Sequence, residues 1–182
     1  MYGTQVIFGV NNQKYSFNSL YVRTVEHYSN IAILPGAPRC IAGVTELRGE
    51  WVPVCDLHIR FNTGMAPKPN RDIIFVNCSD GCIGCLVDTV YEIGAVTEDV
   101  QATLPFILQS DQTGYVDGIV RHNGELITAI HHEHILTRND AAQLSVAMKS
   151  LRKQKEEEAE EMARLEAAKK AAEEAAKKAA EA

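Results

Sequence analysis

No stretch of the 182 residues approaches the run of about 18 apolar side chains that a membrane-spanning helix needs. The opening residues, Met1-Tyr2-Gly3-Thr4-Gln5, put no basic segment ahead of a long apolar one, so no secretory leader is expected. Five cysteines is an odd number, which rules out complete pairing within the chain. Without a leader they are expected as reduced thiols in a cytosolic protein. Gly-x-Ser-x-Gly, His-Glu-x-x-His and a phosphate-cradling glycine loop ahead of a helix are all missing. Asp56, Asp88 and Glu92 supply carboxylates, but spacing brings no two together. Nothing therefore points to an enzyme, and no cofactor is expected. Positive charge is scarce where it would matter: residues 1–148 hold nine basic and fifteen acidic residues, the whole formal charge of −6. An acidic body without a basic patch argues against nucleic acid as a partner.

What is present is 46% apolar residues, enough for a real core. Short extended runs dominate residues 1–138. Gln5–Val10 and Lys14–Phe17 flank the turn Asn11-Asn12-Gln13, and Leu20–Tyr28 stays extended. Val44–Leu47 and Trp51–Leu57 flank Arg48-Gly49-Glu50 as a hairpin, with Pro53 at a position that needs no ladder donor. Ile73–Val76 and Ile83–Val90 read as strands. Val116–Arg121 and Glu125–Ile130 pair across His122-Asn123-Gly124, a strong hairpin signal. Polar loops are expected at 65–71 and an irregular linker at 97–113. Short strands at this spacing predict barrels or a sandwich. The expected core is Val6, Phe8, Tyr15, Phe17, Val22, Val25, Val44, Leu47, Val52, Val54, Leu57, Ile74, Val76, Leu86, Val87, Val90, Ile119, Ile127 and Ile130.

The pattern changes at residue 139. Leu144, Met148 and Leu151 share one helix face, and Asn139 or Asp140 is placed to cap it. Residues 139–155 are expected as a docking helix and 156–182 as a solvated Ala/Glu/Lys-rich tail. The tail has strong helix formers and i,i+4 pairs such as Glu166–Lys170. After Leu165 no apolar side chain larger than alanine remains, so the closing stretch has no a/d apolar heptads and no coiled coil is expected there.

Cys78, Cys82 and Cys85 have a metal-like spacing. Cys82 and Cys85, however, fall in a predicted strand, where a separation of three puts them on opposite faces. Buried thiols are favoured, with a thiol- or metal-binding protein as the alternative. His131-His132-Glu133-His134 reads as a surface helix start rather than a ligand set. No metal site is expected.

Two runs carry the sharpest signal. Ala42-Gly43-Val44-Thr45-Glu46-Leu47-Arg48-Gly49 precedes Val52-Pro53-Val54-Cys55-Asp56-Leu57-His58-Ile59-Arg60-Phe61. Gly84-x-x-Val87-Asp88-x-Val90 and Gly118-Ile119 to Leu126-Ile127 follow in the same order. Over about residues 4–138 the chain resembles the CheW family of chemotaxis coupling proteins. The resemblance implies an all-β core of two intertwined five-stranded SH3-like barrels, here with a C-terminal helical extension. It implies a non-enzymatic adaptor at receptor arrays near the cell pole, reaching the membrane only through receptors. The implied partners are the regulatory domain of the histidine kinase CheA, chemoreceptor cytoplasmic tips and other CheW-like proteins. Arg48, beside a glycine, offers a fork of donors with little shielding bulk. An internal bridge from Arg48 to Asp56 or Glu50 is the structural alternative.

The implied contact residues are Gly43, Val44, Glu46, Arg48, Gly49, Thr24, Glu26 and His58. Several depart from the family pattern. Glu46 replaces an asparagine, Thr24 a glutamate, His58 an arginine and His131 an aspartate. Ser16-Phe17-Asn18 stands for Gly-Ile-Asp. The departures make a divergent module, one that recruits or localises arrays without standard kinase coupling, the second reading.

Overall fold

The computed structural model describes residues 3–27, 30–64, 70–96, 98–100 and 114–180, with backbone alone for 98–100 and 173–180. The chain divides into two compact units, residues 1–144 and 145–182.

The first unit is built from eleven described strands and a one-turn helix. They are β1 (Thr4–Val10), β2 (Gln13–Asn18), β3 (Val22–His27), β4 (Ile41–Leu47), β5 (Glu50–Asp56), α1 (Leu57–Arg60), β6 (Asp72–Cys78), β7 (Gly81–Val87), β8 (Thr89–Ala95), β9 (Glu98–Val100), β10 (Val116–His122) and β11 (Glu125–Ile130). One sheet has the order β8-β1-β2-β11-β10-β9 and the other β3-β6-β7-β5-β4. The chain begins in the first sheet, makes the whole of the second, and returns to the first at β8. That path intertwines the two. Of the linker expected over 97–113, only Glu98–Val100 is described, as β9; the loop expected at 65–71 lies outside the described residues up to Pro69.

Alternation explains two cores at once. Ile7, Val120, Ile127 and Ala129 cluster on one face of the first sheet. Leu47, Val52, Val54, Ile73, Phe75 and Leu86 cluster on one face of the second. Residues of the opposite parity are buried too: Val6, Phe8 and Val10 on β1, and Ile74, Val76, Cys85 and Val87 on β6 and β7. A strand buried on both faces reads as a continuous apolar run, as Gln5–Val10 and Ile73–Val76 do. Most of the expected core is buried. Tyr15, Val22, Val25, Val90 and Ile119 are only half-buried. On β10 the expectation was one residue out: Val120, 0% exposed, faces the core. A β-bulge between Val116 and Gly118 breaks the pairing register with β11 at the start of that strand.

The seam between the sheets is polar and tightly bonded. Asp88, between β7 and β8, accepts from the backbone N–H of Asn11 at 2.8 Å. Its other oxygen meets His58 Nε2 at 2.7 Å. Asp56 caps α1 through His58 N at 3.0 Å and takes Arg71 at 2.7 Å. Asp72 holds His27 Nδ1 at 2.6 Å and the Val90 N–H at 2.8 Å. An aromatic chain runs beside them: Phe17–Phe8 at 4.9 Å, Phe8–Tyr15 at 6.0 Å, Tyr15–Phe61 at 4.8 Å and Phe61–Tyr115 at 4.5 Å.

A single helix, α2, runs from Arg138 to Ala180. Its N-terminus is capped by Thr137 rather than by Asn139 or Asp140. Thr137 Oγ1 accepts from Asp140 N at 3.1 Å and donates to the Asp140 carboxylate at 2.7 Å. This is the forward half of a capping box: Asp140 bonds the Thr137 hydroxyl rather than reaching back to its backbone N–H. His131-His132-Glu133-His134 forms a separate 3-10 turn ahead of it. In the second unit, residues 152–172 are all exposed.

The seam makes a stability prediction. Replacing His58 or Asp88 by leucine strands the partner's polar atoms in a site where both side chains are at most 4% exposed. We expect each to cost about 3–5 kcal/mol, read from the urea midpoint. A change below about 1 kcal/mol would mean that the bond does not hold the sheets together.

Candidate partner-binding surface

Four described hairpins of the first unit close with two-residue turns, and three of these, Asn11-Asn12, Arg48-Gly49 and Asn123-Gly124, share one backbone conformation that Ser79-Asp80 does not. The flanking pairs of these three are Val10 with Gln13, Leu47 with Glu50, and His122 with Glu125. All six central residues have positive φ: 51° and 59°, 52° and 84°, 50° and 81°. That is the condition for the I′ turn, whose twist matches that of the strands it joins. Asparagine and glycine accept this conformation readily. Arginine does not, because its Cβ crowds the following carbonyl at a cost of roughly 1–2 kcal/mol. Arg48 is therefore the strained member of an otherwise ordinary set.

Arg48 and Gly49 are exposed at the turn, and Glu46 is exposed on β4. The bridges considered for Arg48 are engaged elsewhere. Asp56 binds Arg71 at 2.7 Å, and Glu50 binds Arg23 at 2.8 Å. Among the described residues no ion pair involves Arg48. Arg23 lies on β3, so its bond to Glu50 holds the hairpin tip against the strand that carries Thr24 and Glu26. Glu26 is exposed and Thr24 half-buried. The Arg23–Glu50 pair was not anticipated; the available signal was two opposite charges, one at a strand start and one at a hairpin end.

The remaining residues implied by the motif sit inside. Val44 is 2% exposed. Its N–H and C=O pair with Ala32 at 2.8 Å each way. Gly43 lies so close that a Cβ there would stand 2.1 Å from the Ala32 carbonyl oxygen. Only glycine fits, so these two motif positions seat the 30s loop rather than present a contact. His58 is a correction: expected at the partner surface, it is 5% exposed and bonded to Asp88 and Thr63. Capping by Asp56 turns the chain into α1 and points the imidazole into the seam.

The thiols behave as the strand reading expected. Cys82 and Cys85 lie on β7, with Cys85 buried and Cys82 half-buried beside the second core. All five cysteines are unpaired. Cys78 donates to the His132 carbonyl at 3.3 Å, and burial pushes its thiol up to about 12. His131, His132 and His134 stack ring on ring, with His132 also 3.6 Å from Tyr21. Among the described residues no group of three or more His, Cys, Asp or Glu gathers as a metal ion would need.

This arrangement presents an exposed guanidinium, in no ion pair among the described residues, at the tip of one sheet, with Glu46 and Glu50 near it in sequence. It suits recognition of another protein. A family model for the CheW-like domain matches residues 5–140. The chain belongs to the CheW-like family. It is similar to the chemotaxis protein CheW of Klebsiella aerogenes, 26% identical over 146 residues, covering 80% of this chain and 88% of that protein. It is also similar to CheW of Thermotoga maritima, 27% identical, covering 71% and 84%. Among solved structures it resembles the scaffolding protein TtCheW of Thermoanaerobacter tengcongensis, with a TM-score of 0.67 and 26% identity over 77% of this chain and 91% of that one. The two sheets are thus the two SH3-like barrels expected of the family, the first extended by the three-residue strand β9. Among the described residues no helix is long and apolar enough to cross a membrane.

Two outcomes follow. Arg48→Gly should relieve the turn and stabilise the fold by about 0.5–1 kcal/mol, raising Tm by a few degrees. A lower Tm would show that Arg48 makes stabilising contacts. Cys78 should resist alkylation in the folded protein. At pH 8 its thiolate fraction should be roughly a thousandfold below that of an ordinary thiol, and mass-spectrometric labelling of native against unfolded protein checks this.

Proposed function

We propose that this CheW-like domain is a non-enzymatic chemotaxis adaptor that couples receptor cytoplasmic tips to the regulatory domain of the histidine kinase CheA. The observation that carries the reading is Arg48. A strained, exposed arginine without an ion-pair partner among the described residues is stability given up where a free donor fork is presented. Glu46 and Gly49 lie on the same hairpin, Thr24 and Glu26 lie on β3, which Arg23 bonds to Glu50 of that hairpin, and together they complete the proposed contact surface. Family membership and the likeness to a scaffolding protein support the class of role. The proposed location is cytoplasmic, at receptor arrays near the cell pole, with membrane contact only through receptors.

A second reading is supported by where the family departures fall. Glu46 is exposed and Thr24 half-buried, so two departures alter the presented face. His58 alters only the seam. A changed face with a kept fold favours a divergent partner set: a module that recruits or localises arrays without standard kinase coupling. Residues 156–182 lie outside the family match and are proposed to be dispensable for either contact.

The experiment is a pull-down and titration against purified CheA regulatory domain and a receptor cytoplasmic fragment. Arg48→Ala should weaken binding to one or both by about 1–3 kcal/mol while the fold is kept, and a chain ending at Lys155 should bind as the full chain does. Binding of the receptor alone selects the second reading. Unchanged binding by the folded Arg48→Ala variant removes the hairpin from the interface, and loss of binding by the truncated chain makes the tail a recognition element.

A further inference from the structure

Large apolar side chains are few on α2, and they are not scattered. Leu144, Met148, Leu151, Met162 and Leu165 fall at alternating spacings of four and three once Lys155 and Glu158 fill the gap between Leu151 and Met162. This is the a/d stripe of three heptads. Leu144 and Met148 are buried, whereas Met162 is 62% and Leu165 53% exposed. The stripe therefore continues onto an uncovered face.

Charge along the helix indicates what covers it. Lys149, Arg152, Lys153 and Lys155 form a basic run without an acid, and the next six residues, 156–161, contain five glutamates. A parallel copy would lay Lys155 on Lys155 and Glu158 on Glu158. An antiparallel copy related by a two-fold axis between Glu156 and Glu157 lays Arg152, Lys153 and Lys155 level with Glu161, Glu160 and Glu158, while Lys149 falls level with Arg164. In that register Lys155 faces Glu158 of the second copy, Leu151 faces Met162, and Leu165 reaches the level of Met148. Every a position then meets a d position, as an antiparallel pair requires. Within one chain Lys155 Nζ already bonds Glu158 at 3.1 Å, with both side chains about half exposed or more. Pairing exchanges that bond for its counterpart in the other copy and loses no ion pair.

We propose that residues 148–165 of α2 self-associate as an antiparallel two-stranded coiled coil. The occupant is a second copy because the sequence is complementary to its own reverse: basic to acidic, leucine to methionine, about one point. The polar central layers fix the register and direction and limit the affinity. Association is accordingly weak and concentration-dependent. The chain ending at Lys155 lacks Met162 and Leu165 and should lose association while keeping its adaptor contacts.

Sedimentation velocity of the full chain over a concentration series tests this, with circular dichroism to confirm that each variant keeps its fold. The mass should rise from one chain toward two. Met162→Glu with Leu165→Glu should abolish the rise. Lys155→Glu alone, or Glu158→Lys alone, places like charges in the central layers and should weaken association roughly tenfold or more. The double swap Lys155→Glu/Glu158→Lys should restore most of it. A chain that stays single at every concentration overturns the proposal. So does association that survives Met162→Glu/Leu165→Glu, and so does a double swap that fails to rescue, which an antiparallel register does not allow.

Discussion

The contact between His58 and Asp88 is the constraint on which the two-barrel arrangement rests. Each side chain is at most 4% exposed, and together they reach three places: α1, the crossover from β7 to β8, and the turn after β1 through Asn11. A buried polar pair of this kind is weak evidence of net stability, since desolvation offsets much of the attraction. Its value is specificity. Apolar faces slide past one another at little cost, whereas a carboxylate that must meet one imidazole and one N–H fixes the registry of the two sheets. Asp72 repeats the device by holding the Val90 N–H of β8 from β6, while Asp56 with Arg71, and Asp72 with His27, tie elements of the second sheet to one another.

A fixed seam allows the strain at Arg48. The second barrel holds β4 and β5 in a six-pair antiparallel register, and the Arg23–Glu50 bond anchors the tip from the side. A hairpin so determined tolerates an arginine in the left-handed region, where a free one would open or shift its turn. Asn11-Asn12 and Asn123-Gly124 serve as internal controls. The same turn is made twice with residues that suit it, so the geometry alone does not call for arginine. The fold therefore does not account for arginine at this turn, where its side chain stands exposed.

Much of this fold was legible because local signals agreed with one another. Turn pairs, strand-period alternation and a long motif around Arg48 point to the same barrels. What was not legible depended on contacts distant in sequence. His58 reads as an exposed polar residue on a short helix, and only the 30-residue reach to Asp88 shows otherwise. Gly43 and Val44 read as part of a contact motif, yet the Ala32 backbone is what requires them. The slip at Ile119 has a local cause, since a bulge near Gly118 interrupts the register and single-residue slips exchange the faces of a strand. The helix boundary went to Thr137 because a threonine with an acid three residues on is a stronger cap than an asparagine already inside the first turn.

Salt separates the kinds of electrostatic contact in this chain. The His58–Asp88 and Arg71–Asp56 pairs are largely desolvated, so added salt changes them little, whereas His27 is 96% exposed beside Asp72 and is screened. The Arg48 surface and the charge runs of α2 are exposed, and at physiological ionic strength their reach is about 8 Å. A partner must therefore come into contact before either surface is felt, and neither supplies a long-range pull of one sign: the residues from Lys149 to the end carry nine charges of each kind. Discrimination then rests on where each charge lies along the helix or around the hairpin. Over residues 149–161 of α2 that order reverses once, at Glu156, and a single reversal is the simplest pattern that favours an antiparallel neighbour over a parallel one.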